Sequence, residues 1–291
     1  MHVQGVIMIS YNKPITDLIR IRRSWRSYRE EPVGKDDKDS IRAFISGIEK
    51  PPFGSQVRFI LADAPGQGFG RVRGTYGVVT GASCFLVGIL NRSDMGFEDY
   101  GYLYEAAILY ITSLGLGTCW MGGTFSRTLF SDMAQPDKTE IIPSISPVGI
   151  IAENRSLIDT MFVFTAGSRA RKPWASLFFR DSFSSPLGED AAGPFALPLE
   201  MVRLAPSASN RQPWRIVMNE QGFHFYLSRT FGYGVLFRDV DLQRIDMGIA
   251  MFHFERTALE LGLKGSWHIK DPGISLVPSS TQYVVSWSHE R

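Results

Sequence analysis

Residues 99–120 read DYGYLYEAAILYITSLGLGTCW, and residues 246–267 read DMGIAMFHFERTALELGLKGSW. Each stretch opens on Asp-X-Gly, runs through an apolar segment to Leu-Gly-Leu and closes on Trp. Asp99 and Asp246, Gly115 and Gly262, and Trp120 and Trp267 are all 147 positions apart (246 − 99, 262 − 115, 267 − 120). Agreement at one fixed offset marks a unit written twice in the chain. The 99–114 segment is hydrophobic nearly all round, the pattern of a buried helix. Paired with its equivalent at 246–261, it would make the central contact between two halves. Tyr102, Tyr104, Tyr110, Phe252 and Phe254 then read as core packing across that contact.

Working outward, residues 54–60 can be laid on 210–216 with one residue of slippage. Each unit reads as helix, loop, strand, strand, long helix, short loop, strand. In the first unit, helices are expected over 16–26 and 36–48, and strands over 59–62, 78–90 and 145–151. Residues 282–287 read as the last strand of the second. The longest apolar run, 76–90, is too short to span a bilayer and reads as a buried strand. Residues 167–193, rich in proline, serine and arginine, read as an extended arm and linker. The expected units are 14–180, with that arm at its end, and 181–291.

Composition narrows the function classes. The chain has 291 residues, 44% hydrophobic and 21% charged, the profile of a globular protein with a full core. A net charge of +2 is too small to build a field for nucleic acid or a membrane surface. Cys84 and Cys119 suggest no disulfide framework, so a reducing compartment is the default. The N-terminus shows no export signal, and a cytoplasmic protein is expected. Histidines 2, 224, 253, 268 and 289 are scattered, and no metal site is expected.

Residues 205–214 read APSASNRQPW. Asn210 and Gln212 each carry donors and an acceptor, so the triplet can read a flat heterocycle. Pro206 and Pro213 stiffen the backbone on either side. The plain alternative is a polar helix-to-strand loop closed by a core Trp. At the front, Arg22 and Arg26 would share a helical face with Ser24 nearby, a plausible phosphate clamp or a solvated helix end. A second basic group, Arg169, Arg171 and Lys172, follows the first unit. The glycine run at 66–74 lacks the strand-to-helix register of a dinucleotide loop and reads as a hairpin loop. Arg73 and Thr75 are candidate contacts there.

Together these residues resemble the FMN-dependent nitroreductase family. Arg22, Arg23, Ser24, Trp25 and Arg26, followed by Pro32 and Val33, are similar to its opening phosphate motif. Residues 114–123, LGLGTCWMGG, resemble its helix-end and flavin-ring segment; Arg169–Pro173 resembles its late phosphate contact, and 206–214 its ribityl and flavin-edge loop. The likeness covers most of 18–290, and its tandem form is similar to the Thermotoga-type nitroreductases. It implies an α+β fold, a mainly antiparallel sheet flanked by helices, duplicated in one chain as an intramolecular pseudo-dimer acting as a monomer. It also implies that Arg22, Arg23, Ser24, Arg26, Arg169 and Arg171 serve the FMN phosphate and its surroundings. Met121, Gly122 and Gly123 would approach the ring, and Pro206, Ser207, Ala208, Asn210 and Gln212 the ribityl chain and ring.

The first unit keeps the phosphate arginines but has Lys50–Gln56 (KPPFGSQ) where the amide loop belongs; the second keeps the loop and lacks the basic motif. The resemblance thus implies one complete FMN site and one eroded one. The expected activity is electron transfer from NADH or NADPH, through FMN, to a small acceptor such as a nitroaromatic or quinone. The flavin carries the chemistry, so no catalytic side chain is named. The alternatives are a non-catalytic flavin-binding protein and a degenerate structural pseudo-dimer.

Overall fold

The computed structural model describes residues 11–64, 70–153, 170–231 and 239–290. The chain divides into two compact units, one ending at residue 165 and the other beginning at 166. That division falls before the expected boundary at 180 because residues 170–180 are bonded into the second unit.

The first unit contains α1 (Ile15–Ile21), α2 (Lys35–Ser46), β1 (Val57–Asp63), β2 (Cys84–Asn91), α3 (Gly96–Ser113), β3 (Gly117–Thr118), α4 (Arg127–Ala134), β4 (Glu140–Ile141) and β5 (Ile145–Gly149). Its sheet runs β1-β2-β5-β3, with β4 on the free end of β2, and every ladder is antiparallel. β2 is buried along nearly its whole length, which accounts for its continuous apolar run instead of an alternating one. It begins at Cys84, later than the expected residue 78, because Val72 and Val79 close a turn upstream.

α3 is buried almost all round, as its sequence predicts. It lies so close to the sheet that a Cβ on Gly88 would sit 2.3 Å from the Tyr100 hydroxyl. The hydroxyls of Tyr100 and Tyr104 donate to the carbonyls of Ser144 and Leu86, so neither buried phenol is left unsatisfied. On another side Phe44 of α2 stacks on Tyr110 at 4.0 Å.

The second unit contains β6 (Phe178–Arg180), α5 (Ala196–Leu204), β7 (Trp214–Asn219), β8 (Gly222–Ser228), α6 (Leu242–Glu260), β9 (Gly265–His268) and β10 (Thr281–His289). Its sheet runs β6-β7-β8-β10-β9. Taking β7, β8, β10 and β9 for β1, β2, β5 and β3 reproduces the order of the first sheet, again antiparallel, with no counterpart to β4 among the described residues. The unit written twice in sequence is therefore folded twice, as an α+β sheet with a long buried helix. The addition is β6, a three-residue strand parallel to β7, by which the arm joins this sheet. Within the unit Phe254 of α6 packs against Phe223, Phe225, Trp267 and Trp287.

One local expectation is corrected. The first helix stops at Ile21 instead of continuing to Arg26. Arg22 leaves helical geometry (ψ 130°), and the chain runs extended to pair Ser24 with Thr118 and Ser27 with Thr80. Trp25 N–H donates to Thr118 O at 2.8 Å, and Tyr28 N–H to Thr80 O at 3.0 Å. The next turn is built to receive this segment: Gly81 (φ 75°) passes so close that a Cβ would sit 2.2 Å from Tyr28 O.

Candidate functional site

In the first unit the basic segment and the Gly-Gly segment are neighbours, joined through β3. Extended backbone replaces helical spacing by alternation, which groups Arg22, Ser24 and Arg26 by position. Arg22 is only 7% exposed. Its Nε lies 3.8 Å from Glu105 Oε1 of α3, and Trp120 Nε1 donates to the other carboxylate oxygen at 2.8 Å. Nε and Nη1 of Arg22 are buried without a hydrogen-bond partner. Burial lowers the Arg22 pKa, and Glu105 acts against that shift. Buried guanidinium nitrogens without a hydrogen bond are costly even beside a carboxylate, and they fit a polar or anionic group brought in from outside the chain.

The other members differ in kind. Arg23 is exposed and donates to the carbonyls of Arg20 and Arg22, at 2.6 and 2.8 Å, closing the end of α1. Met121 is buried in the core and exchanges both backbone bonds with Ile145. The Gly122 carbonyl accepts from Arg127 at 2.9 Å, and Gly123 is exposed. Thr75 is fully buried and bonds Val72 O, a turn role. Arg169 lies outside the described residues, as do residues 66–69 of the glycine run.

In the second unit the loop 205–213 and the arm 170–172 form one bonded cluster. Asn210 Nδ2 donates to Ala170 O at 2.9 Å, and Arg171 Nη1 donates to Asn210 Oδ1 at 3.1 Å. Lys172 N–H donates to Gln212 Oε1 at 2.8 Å, and Gln212 N–H to Ser207 Oγ at 2.8 Å. The amides thus have a scaffolding task that the sequence did not suggest: they tie the arm to the loop. The cluster is nonetheless strained. Ser209, Asn210 and Gln212 have φ of 48°, 53° and 48°, a left-handed region that side chains other than glycine rarely adopt. Each such residue costs on the order of 1 kcal/mol or more and persists only where its surroundings impose it, as at ligand clamps.

What imposes it includes Asp246. This carboxylate, buried in the first turns of α6, accepts Ala208 N–H at 2.9 Å. Its equivalent Asp99, in α3, accepts Phe53 N–H at 3.1 Å and Ser55 N–H at 2.9 Å from the matching loop of the first unit. Burial raises both carboxyls above the ordinary range. The repeat had marked both residues, but only their contacts give them a role. Glu105 was missed as well, although a charge in an otherwise apolar helix was the available signal.

Among the described residues no group of three or more His, Cys, Asp or Glu side chains could hold a metal, and no helix is long and apolar enough to cross a membrane.

Comparison with solved structures finds a protein described as a putative nitroreductase from Thermotoga maritima MSB8, 21% identical, covering 90% of this chain and 91% of that one, with a TM-score of 0.56. A nitroreductase family protein from Clostridium novyi NT is 15% identical over 51% of this chain and 91% of its own (TM-score 0.39). An FMN-dependent nitroreductase from Clostridium difficile R20291 is 19% identical over 48% and 88% (TM-score 0.38). No curated protein matches the chain. The first of these structures shares the duplicated α+β fold across nearly its whole length. The family model described as "Putative TM nitroreductase" matches residues 14–258, most of the chain, and the protein belongs to that nitroreductase family.

Proposed function

We propose that this chain is an FMN-dependent oxidoreductase that works as a monomeric pseudo-dimer with one flavin site. The observation that carries the reading is Arg22, whose buried Nε and Nη1 lack hydrogen-bond partners in the segment the resemblance assigns to the cofactor. Arg22, Ser24 and Arg26, with Arg169 and Arg171, would hold the phosphate. Pro206, Ser207, Ala208 and Asn210 would meet the ribityl chain and ring, with Gln212 beside them and Gly122 and Gly123 near the ring. Bound FMN would supply hydride and electron transfer from NADH or NADPH to a small acceptor such as a nitroaromatic or quinone.

The chain's own residues orient and shelter the cofactor. Arg23 and Met121 act indirectly, one closing α1 and the other fixing β3 against β5. The loop is held in its costly shape by Asp246 and the arm, so its polar groups are set before a ligand arrives, which lowers the ordering cost of binding.

The test is direct. Purified protein should be yellow, release FMN on denaturation and bleach when NADH or NADPH is added without oxygen. Arg26→Ala and Asn210→Ala should each weaken FMN retention about tenfold, the loss of one hydrogen bond to a charged or buried group. Full flavin in both variants would refute the site. A second reading, a degenerate structural pseudo-dimer, is favoured by one observation: Asn210 and Gln212 already spend their amides on the arm. Protein that holds no FMN would select it.

A further inference from the structure

The second unit holds a group of cations that the flavin assignment does not use. Lys172 Nζ and Arg215 Nη1 both donate to the carbonyl of Gln212, at 3.4 and 3.1 Å. Arg215 Nη1 also donates to Trp214 O at 2.6 Å, and Lys172 is fixed by its own N–H on Gln212 Oε1. One carbonyl therefore holds an ammonium and a guanidinium side by side, both half-buried, with the exposed Arg211 close by.

These bonds use one of three ammonium donors and one nitrogen of the guanidinium. The charged groups that act on Lys172 are Arg215 and Arg211, both cations, and Arg171 is its chain neighbour. Among the described residues no carboxylate features among the charges that act on Lys172 or Arg215. Burial first, and then Arg215 and Arg211, pull the Lys172 pKa down to about 8. Like charges gathered out of water without a counter-charge are unfavourable unless an anion completes them.

We propose that Lys172, Arg211 and Arg215 form a binding site for a phosphate-type oxyanion. The group it fits is the extra phosphate that separates NADPH from NADH, the flavin phosphate being assigned to Arg22, Ser24, Arg26, Arg169 and Arg171. The shared chemistry is a doubly charged tetrahedral oxyanion met by an ammonium and two guanidinium groups.

Sulfate is the probe, because its charge is constant between pH 6 and 10 while that of phosphate changes. Calorimetric titration of the full chain should show a saturable component that depends on Lys172 and Arg215. Lys172→Met and Arg215→Met should each weaken it by at least about tenfold. The bound anion favours charged Lys172, so affinity should be flat below pH 8 and fall above it, by up to about tenfold per pH unit. Lys172→Arg should retain sulfate and lose that fall, which separates a charge effect from misfolding.

Two further arms name the source. A Lys172→Met loss confined to FMN over riboflavin places the site at the flavin phosphate and overturns the assignment to NADPH. A larger rise in KM for NADPH than for NADH assigns it to the donor. Sulfate that does not saturate, or that binds both Met variants as tightly as the parent, overturns the proposal. The sulfate result needs no bound flavin, so it stands or falls apart from the oxidoreductase reading.

Discussion

The loop at Phe53–Ser55 and the loop at Ala205–Pro213 hang from equivalent aspartates, yet only one of them is under strain. In the first unit both Asp99 oxygens are used, by Phe53 and Ser55, and the one left-handed residue is Gly54 (φ 76°), which bears it freely. In the second, one Asp246 oxygen accepts Ala208, the other is buried without a partner, and three side-chain-bearing residues stand at positive φ. The copies share the anchor and differ in what they hang on it. A relaxed connection needs no ligand to explain it. A costly loop tied to an arm by its own amides is the shape expected of a clamp.

The largest effect should come from removing the better-satisfied anchor. Asp99→Ala leaves two N–H groups unmatched and should cost about 3 kcal/mol, against about 2 kcal/mol for Asp246→Ala, read by denaturant unfolding of each variant. Equal costs would break the comparison.

The anchors should also differ in their response to pH. Burial raises the folded-state pKa of Asp246 well above its unfolded value. Between the two values the folded chain holds a proton that the unfolded chain has lost, so this group's contribution to stability is fully present below the unfolded pKa and falls as pH rises. Asp246→Asn removes that dependence. Relative to the parent it should therefore gain stability from pH 4 upward, by up to about 1.4 kcal/mol per pH unit. An Asn variant whose deficit is constant from pH 4 to 8 would show that the carboxyl stays ionised.

Smallest are the backbone exchanges. Gly54→Ala should destabilise by about 1 kcal/mol through strain alone, since no atom lies within 4 Å of the added Cβ. Ser209→Gly should be neutral or stabilising by a few tenths, relief of strain offsetting chain entropy, while loosening the loop and lowering flavin retention. Thermal unfolding alongside flavin release separates the two.

Much of this fold was legible because it is written in local pattern. The apolar run of β2 and the all-round apolar α3 are each contiguous, and the repeat carries its own alignment. The end of α1 was not legible. Residues 22–26 are compatible with helix, and only pairing with Thr118 and Thr80, far along the chain, draws them out. β6 is three residues long and its partner lies beyond residue 213, so no period could announce it. The site was legible as residue types and not as relationships. Asp246, Glu105 and the convergence of Lys172 and Arg215 on Gln212 O arise from contacts between distant positions. The amides of Asn210 and Gln212 stand out by residue type, but their bonds to the arm could not be foreseen from spacing.

The central claim is the proposal that the chain carries a single flavin site. The most direct measurement is the FMN content of the purified, reconstituted chain. The account predicts one FMN per chain, released on denaturation and lost more readily from Asn210→Ala. Two FMN per chain would show that the relaxed loop also serves a site, and would contradict it.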